Sequence, residues 1–201
     1  MPVRYFTYDK PFELENGEVL PELTIAYHVF GKMRKDNVVW VCHALTANSD
    51  VADWWPHTVE AGRFLDPRRY CVICANIIGS HYGSTGPMSI NPKTGYPYYG
   101  SFPFITVRDM VKAHFLLADY LGITSAHAVI GSSIGGFQAL EMVLTRPDFA
   151  GRLVLIATAA RSQPWSIALN ESQRMAIETD ESFGLESENA GKKGMRVSRS
   201  I

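Results

Sequence analysis

Val129-Ile130-Gly131-Ser132-Ser133-Ile134-Gly135-Gly136-Phe137 is the stretch on which the reading of this chain turns. An apolar run, Ala126 to Ile130, leads into it, and a helical pattern, Phe137-Gln138-Ala139-Leu140-Glu141-Met142, leaves it. Strand, Gly-x-Ser-x-Gly and helix make the layout of a nucleophile elbow. A sharp turn of this kind forces one serine into a strained backbone conformation and exposes its hydroxyl. Gly131 and Gly135 flank Ser133 where side chains would collide across the turn. The following helix aims its first amides at the site, which suits a developing oxyanion. Composition alone puts this five-residue pattern in about one chain in ten of this length, so its setting carries the reading.

The setting is a series of buried strands. Val38-Val39-Trp40-Val41-Cys42 is apolar throughout, as expected of a strand covered on both faces, and ends in His43-Ala44-Leu45-Thr46. Tyr70 to Ile78 reads the same way, and Leu153 to Ala157 reads as a further strand. Towards the N-terminus, Phe12-Glu13-Leu14, the turn signal Glu15-Asn16-Gly17-Glu18 and the run Leu23 to Phe30 predict two strands around a turn. Asp53-Trp54-Trp55-Pro56 opens a short helix. Thr106-Val107-Arg108-Asp109 has the form of a capping box, with Asp at the position usually held by Glu or Gln. It starts a helix that ends at Gly122. Residues 79–105, rich in Gly, Pro, Ser, Asn and Tyr, form a loop long enough to be functional. Buried strands alternating with helices predict an α/β fold, a mostly parallel sheet with helices on both faces. In such sheets chemistry gathers at the carboxyl ends of the strands, where His43–Thr46, Gly79–Pro87 and Ser133 all fall.

Bulk properties exclude several classes. The 201 residues are 46% hydrophobic and 19% charged with a formal net charge of -1. That is enough chain for a sizeable core, with no global basic field for nucleic acid or an anionic membrane surface. Met1-Pro2-Val3-Arg4-Tyr5 does not open a secretory signal, and no apolar run is long enough to span a bilayer, so a cytoplasmic location is expected. Cys42, Cys71 and Cys74 are too few, and odd in number, for a disulfide framework. Cys71-Val72-Ile73-Cys74 has redox spacing, yet in a strand its cysteines face opposite sides, so a packing role is expected and no metal site.

A serine nucleophile needs a base, normally a histidine held by a carboxylate, and donors for the oxyanion. The expected donors are the backbone amides of Ile134, directly after Ser133, and Leu45, in the loop after the Val38–Cys42 strand. The six histidines are His28, His43, His57, His81, His114 and His127. Of these, His43 borders the serine, and its expected role is to position that loop rather than to act as base. Asp109 reads as a helix cap and Glu141 as a residue of the elbow helix.

The ordered segments Cys42-His43-Ala44-Leu45-Thr46, Gly83-Ser84-Thr85-Gly86-Pro87, Ser89-Ile90-Asn91-Pro92, Phe102-Pro103, Thr106 to Val111 and Gly131 to Gly136 with Gln138-Ala139-Leu140-Glu141 resemble the homoserine O-acetyltransferase family. That family is a branch of the α/β-hydrolase superfamily. Its elbow more often reads Gly-Gly-Ser-Met-Gly-Gly, where this chain has Ser132 and Ile134. The resemblance implies a ping-pong acyl transfer. Ser133 takes an acetyl group from acetyl-CoA, and the hydroxyl of L-homoserine accepts it, for methionine biosynthesis. It implies acetyl-CoA as a substrate with no permanently bound cofactor, no nucleic-acid or membrane partner, and a homodimer in the complete family member.

Family members are longer and carry the triad Asp and His well beyond the serine, after a helical lid. The expectation is therefore the N-terminal portion of an α/β-hydrolase fold. Residues 1–164 are expected to belong to the core, and residues 165–201 to begin the lid and continue as a polar tail without core-forming periodicity. The triad Asp and His are not expected within the chain, and low activity of the isolated chain follows. Other readings are a serine or O-succinyl variant of the transferase, a serine esterase of the same fold, and a non-catalytic module with an unpaired sheet edge.

Overall fold

The computed structural model describes residues 1–201. In chain order the elements are β1 (Arg4–Tyr8), β2 (Phe12–Glu13), β3 (Val19–Leu20), β4 (Leu23–Phe30), β5 (Val38–Cys42), α1 (Val51–Trp54), β6 (Cys71–Ala75), α2 (Val107–Tyr120), β7 (Ala128–Ser132), α3 (Ile134–Thr145), β8 (Leu153–Ile156), α4 (Pro164–Glu178) and α5 (Lys192–Ser198). Two compact units result. Met1–Gly86 and Pro103–Thr158 form the first; Pro87–Phe102 and Ala159–Ile201 form the second.

The first unit holds a six-stranded sheet in the order β1-β4-β6-β5-β7-β8. The pairs β6/β5, β5/β7 and β7/β8 are parallel, and β1/β4 and β4/β6 are antiparallel. Every residue of β5 and β6 is buried, as their unbroken apolar sequences require. Alternation splits those side chains between two faces. On one, Trp40 meets His114 of α2 and Phe149, and the Cys42 thiol lies 3.8 Å from the Met142 sulfur of α3. On the other, Val39, Val41, Val72, Cys74 and Ile130 pack with Val51 of α1, Val59 and Leu65. That second face is covered by a one-turn helix and irregular chain rather than by a long helix.

The register brings the carboxyl ends of the parallel strands level: Cys42 lies beside Gly131, Val41 beside Cys74, and Ser132 beside Ile156. Thr106 caps α2 as its sequence predicts, its hydroxyl accepting from the Asp109 N–H while the Asp109 carboxylate accepts from the Thr106 N–H. The cysteines are all free and buried, and burial raises their pKa values, which suits packing rather than thiolate chemistry.

Several expectations need correction. The N-terminal strand Leu23–Phe30 pairs with β1, which the sequence reading passed over, and the hairpin at the Asn16-Gly17 turn is instead β2 with β3. As an edge strand, β1 buries Phe6 alone, so its apolar signal is slight. The strand expected over Tyr70–Ile78 is shorter, β6 stopping at Ala75. The short helix begins at Val51, one turn of chain capped by Asp50, whose side chain accepts the Ala52 N–H.

The tail is more than a polar extension. In the second unit Gly194 lets α5 approach α4 closely, since a Cβ there would lie 2.5 Å from the Ala176 carbonyl oxygen. The Asp180 carboxylate accepts the Gly194 N–H at 2.8 Å and bonds Ser182. Those hydrogen bonds, that from Gly194 foremost, hold the Asp180 pKa down to about 2. The long loop is divided as well: Gly79–Gly86 belongs to the first unit, and Pro87–Phe102 to the second, where Ile90 bridges to Pro97. No helix is long and apolar enough to cross a membrane.

Candidate active site

The site is built at the junction of β7 and α3. Ser133 is an exposed N-cap at φ 55°, ψ −122°, a backbone conformation that non-glycine residues rarely hold. Its N–H donates to the Ile156 carbonyl oxygen of β8 at 3.1 Å, which ties the turn to the neighbouring strand end. Gly131 and Gly135 make the turn possible by close approach. A Cβ on Gly131 would lie 2.0 Å from the Gly135 oxygen, and one on Gly135 would lie 2.1 Å from the Cys42 oxygen and 2.8 Å from the His43 oxygen. The second clash shows how closely the first turn of α3 lies against the chain leaving β5. The loop from His43 to Asp50 therefore borders Ser133.

Two amides at this junction are unengaged: neither the Leu45 N–H nor the Ile134 N–H donates to a protein acceptor. Leu45 is also 69% exposed, so its side chain does not anchor it. A free backbone donor can receive negative charge, and the Ile134 amide is one at a helix N-terminus directly after the exposed Ser133.

His43 is fully buried at 0% exposure. Its Nδ1–H donates to the Ala44 oxygen at 2.8 Å, and its Nε2 accepts the Ile77 N–H at 3.3 Å. These partners fix one neutral tautomer and occupy both nitrogens. Burial lowers the pKa, outweighing the opposing bond to Ala44. His43 thus holds the Ala44–Leu45 loop and has no nitrogen left to take a proton from Ser133.

The other histidines are engaged elsewhere or enclosed. His28 bonds Ser49, His57 bonds Glu60, His127 lies by Arg152 and His81 packs on Tyr82. His114 is buried against Trp40, neither ring nitrogen having a partner. Asp109 caps α2 and also accepts the Glu15 N–H; Glu141 pairs with Arg108. No histidine or carboxylate within the chain joins Ser133 as a base. The sequence reading missed Ser49, at the far end of the loop after β5, and Asn76, directly after β6, polar residues that are 1% and 2% exposed. Single polar residues of this kind have no periodicity, and the one signal was the place of Asn76 just beyond an apolar run.

The match to the alpha/beta hydrolase fold family covers residues 37–185, and the chain belongs to that family. Its relatives narrow the comparison. The homoserine O-acetyltransferase of Cyclobacterium marinum is 40% identical over 203 residues, spanning 100% of this chain and 58% of that protein. The crystal structure of a homoserine O-acetyltransferase from Bacillus anthracis superposes with a TM-score of 0.90 at 28% identity, over 98% of this chain and 58% of that one. An acetylester hydrolase from Corynebacterium glutamicum gives a TM-score of 0.87 at 25% identity, over 99% and 57%. The chain spans little more than half the length of these proteins.

Proposed function

We propose that this chain carries the acyl-accepting half of a homoserine O-acetyltransferase site. The Ser133 hydroxyl attacks the thioester carbonyl of acetyl-CoA, and the negative charge on that oxygen is received by the Leu45 and Ile134 amides. The carbon–sulfur bond breaks, CoA leaves as the thiol, and the acetyl group remains on Ser133 as an ester. The hydroxyl of L-homoserine then attacks this ester, giving O-acetylhomoserine and the free serine, and on this reading the product serves methionine biosynthesis. One observation carries the proposal: an exposed serine at φ 55° on a strand-to-helix turn, with the Ile134 amide beside it and the Leu45 amide in the loop after β5 both unengaged. The relatives supply the choice of acyl group and acceptor.

The proton leaving Ser133 needs an acceptor, and none of the six histidines offers one. Acylation by the isolated chain is therefore slow, and full turnover is low. The test is mass spectrometry after incubation with acetyl-CoA and, separately, with p-nitrophenyl acetate. One acetyl group is expected on Ser133, absent from Ser133→Ala, with its release accelerated by homoserine and O-acetylhomoserine formed. Acetyl found elsewhere in the chain would overturn the assignment. The fold likeness to an acetylester hydrolase supports a second reading, a serine esterase. Deacylation to acetate that homoserine does not divert would favour it over the transferase.

A further inference from the structure

The Leu45 amide can stabilise an oxyanion only if its loop keeps its shape, because donors that must reorganise lose much of their effect. Apolar packing does not hold that part of the loop: Leu45 and Thr46 are both exposed. His43 secures the near end. The far end is secured by buried polar groups. Asn76 Nδ2 donates to Ser49 Oγ at 3.0 Å and to the Tyr82 oxygen at 2.7 Å. Ser49 Oγ lies 2.8 Å from His28 Nδ1 on β4. His28 Nε2 in turn lies 3.9 Å from Asp50 Oδ2.

Asn76 is itself fixed through its backbone. Its N–H donates to the Ala26 oxygen at 2.8 Å, and its oxygen accepts from Ser84 Oγ at 2.8 Å. The next residue, Ile77, supplies the N–H that His43 accepts. Two consecutive residues after β6 therefore grip both ends of the loop after β5. The order Asp50, His28, Ser49 is that of a catalytic relay, but Ser49 is 1% exposed and accepts from Asn76, so substrate cannot reach it.

We propose that Asn76, Ser49 and His28 are positioning residues for the Leu45 amide, a buried hydrogen-bonded chain that holds the oxyanion loop. This rests on the acyl-transfer reading of Ser133. Loss of one link frees the loop and displaces the donor, and misplacement on the scale of an ångström is enough to slow acylation about tenfold or more.

The variants are Ser49→Ala, which removes the central hydroxyl, His28→Leu, which cuts the chain from β4, and His28→Asn, whose amide can stand where Nδ1 does. Amide hydrogen exchange at Ala47, whose N–H donates to the Ala44 oxygen at 3.0 Å and closes the turn that carries Leu45, tests positioning without catalysis. Faster exchange in Ser49→Ala and His28→Leu, restored in His28→Asn, is expected; exchange equal to the unsubstituted chain in both broken variants would overturn the proposal. The p-nitrophenol burst then tests the consequence. An acylation rate constant about tenfold lower in the broken variants, with the apparent affinity for ester unchanged and the rate recovered in His28→Asn, supports it. A burst of undiminished rate in folded Ser49→Ala and His28→Leu overturns it. An unsubstituted chain that shows the exchange pattern but no burst and no Ser133 acetylation overturns the acyl-transfer reading and leaves the positioning of the loop established.

Discussion

At the residue scale, the core beneath the site contains an unusual histidine. His114 is enclosed between α2 and Trp40, and both ring nitrogens and Trp40 Nε1 lack partners. Burial, with a smaller contribution from His43, lowers its pKa from 6.5 to about 3. Between those values the unfolded chain binds a proton at this position that the folded chain does not, so stability is intact above pH 6.5 and declines as the pH falls. From pH 7 to pH 5 this one group accounts for a loss of about 2 kcal/mol. Replacing it by an apolar residue removes a desolvated ring that makes no hydrogen bond. His114→Leu is expected to hold the stability at pH 7 within about 1 kcal/mol. It should also shrink the acid loss by about 2 kcal/mol. Urea denaturation at the two pH values measures both, and an acid loss unchanged in the variant would contradict the assignment. The same contrast explains what could be read at the site in advance. Ser133, Gly131 and Gly135 belong to a motif with a spacing, and Leu45 and Ile134 follow from it. The partners of His43, Ser49 and Asn76 depend on which strand lies beside which, and no local pattern encodes that.

At the element scale, α2 is fastened to the N-terminal part of the chain by its first turn. Asp109 is 2% exposed and accepts from the Thr106 N–H at 2.9 Å, the Thr106 hydroxyl at 2.9 Å and the Glu15 N–H at 2.8 Å. Lys112 reinforces the junction through the Glu13 carbonyl, and Arg108 pairs with both Glu15 and Glu141, linking the β2–β3 hairpin to α2 and α3. Asp109→Ala leaves two backbone donors without acceptors and removes half of a capping box. A loss of about 2–3 kcal/mol is expected from the chemical-denaturation midpoint. A loss below about 0.5 kcal/mol would show that water takes over these bonds. The capping box was legible because it is a local device. The continuous apolar runs of β5, β6 and β7 were legible because burial on both faces demands them. β1 and α5 were not: the first buries one side chain, and the second owes its place to Gly194 and an Asp180 hydrogen bond, neither of which produces an amphipathic repeat.

At the scale of the whole molecule, the parallel part of the sheet ends at β8, which pairs with β7 and with no other strand. Unlike β5 and β6 it has no fully buried residue, and Leu155 and Ile156 remain 41% and 38% exposed. An apolar edge with unpaired backbone groups is a template for pairing with another chain, and no Lys or Pro within β8 blocks it. In the second unit α4 likewise buries no residue, with Trp165 80%, Ile167 52% and Met175 56% exposed. Apolar surface of this kind in water favours association. The chain in isolation is therefore expected to associate as its concentration rises, with mass measured by light scattering climbing above that of the monomer. Leu155→Lys places a charge on the sheet edge, where pairing would have to desolvate it, and should shift association to concentrations about tenfold higher or more. Trp165→Ser acts on the helix instead. If the edge drives association, the lysine variant changes it and the serine variant does not; the reverse result assigns it to α4, and a monomer at high concentration would show that neither surface is sticky enough to matter.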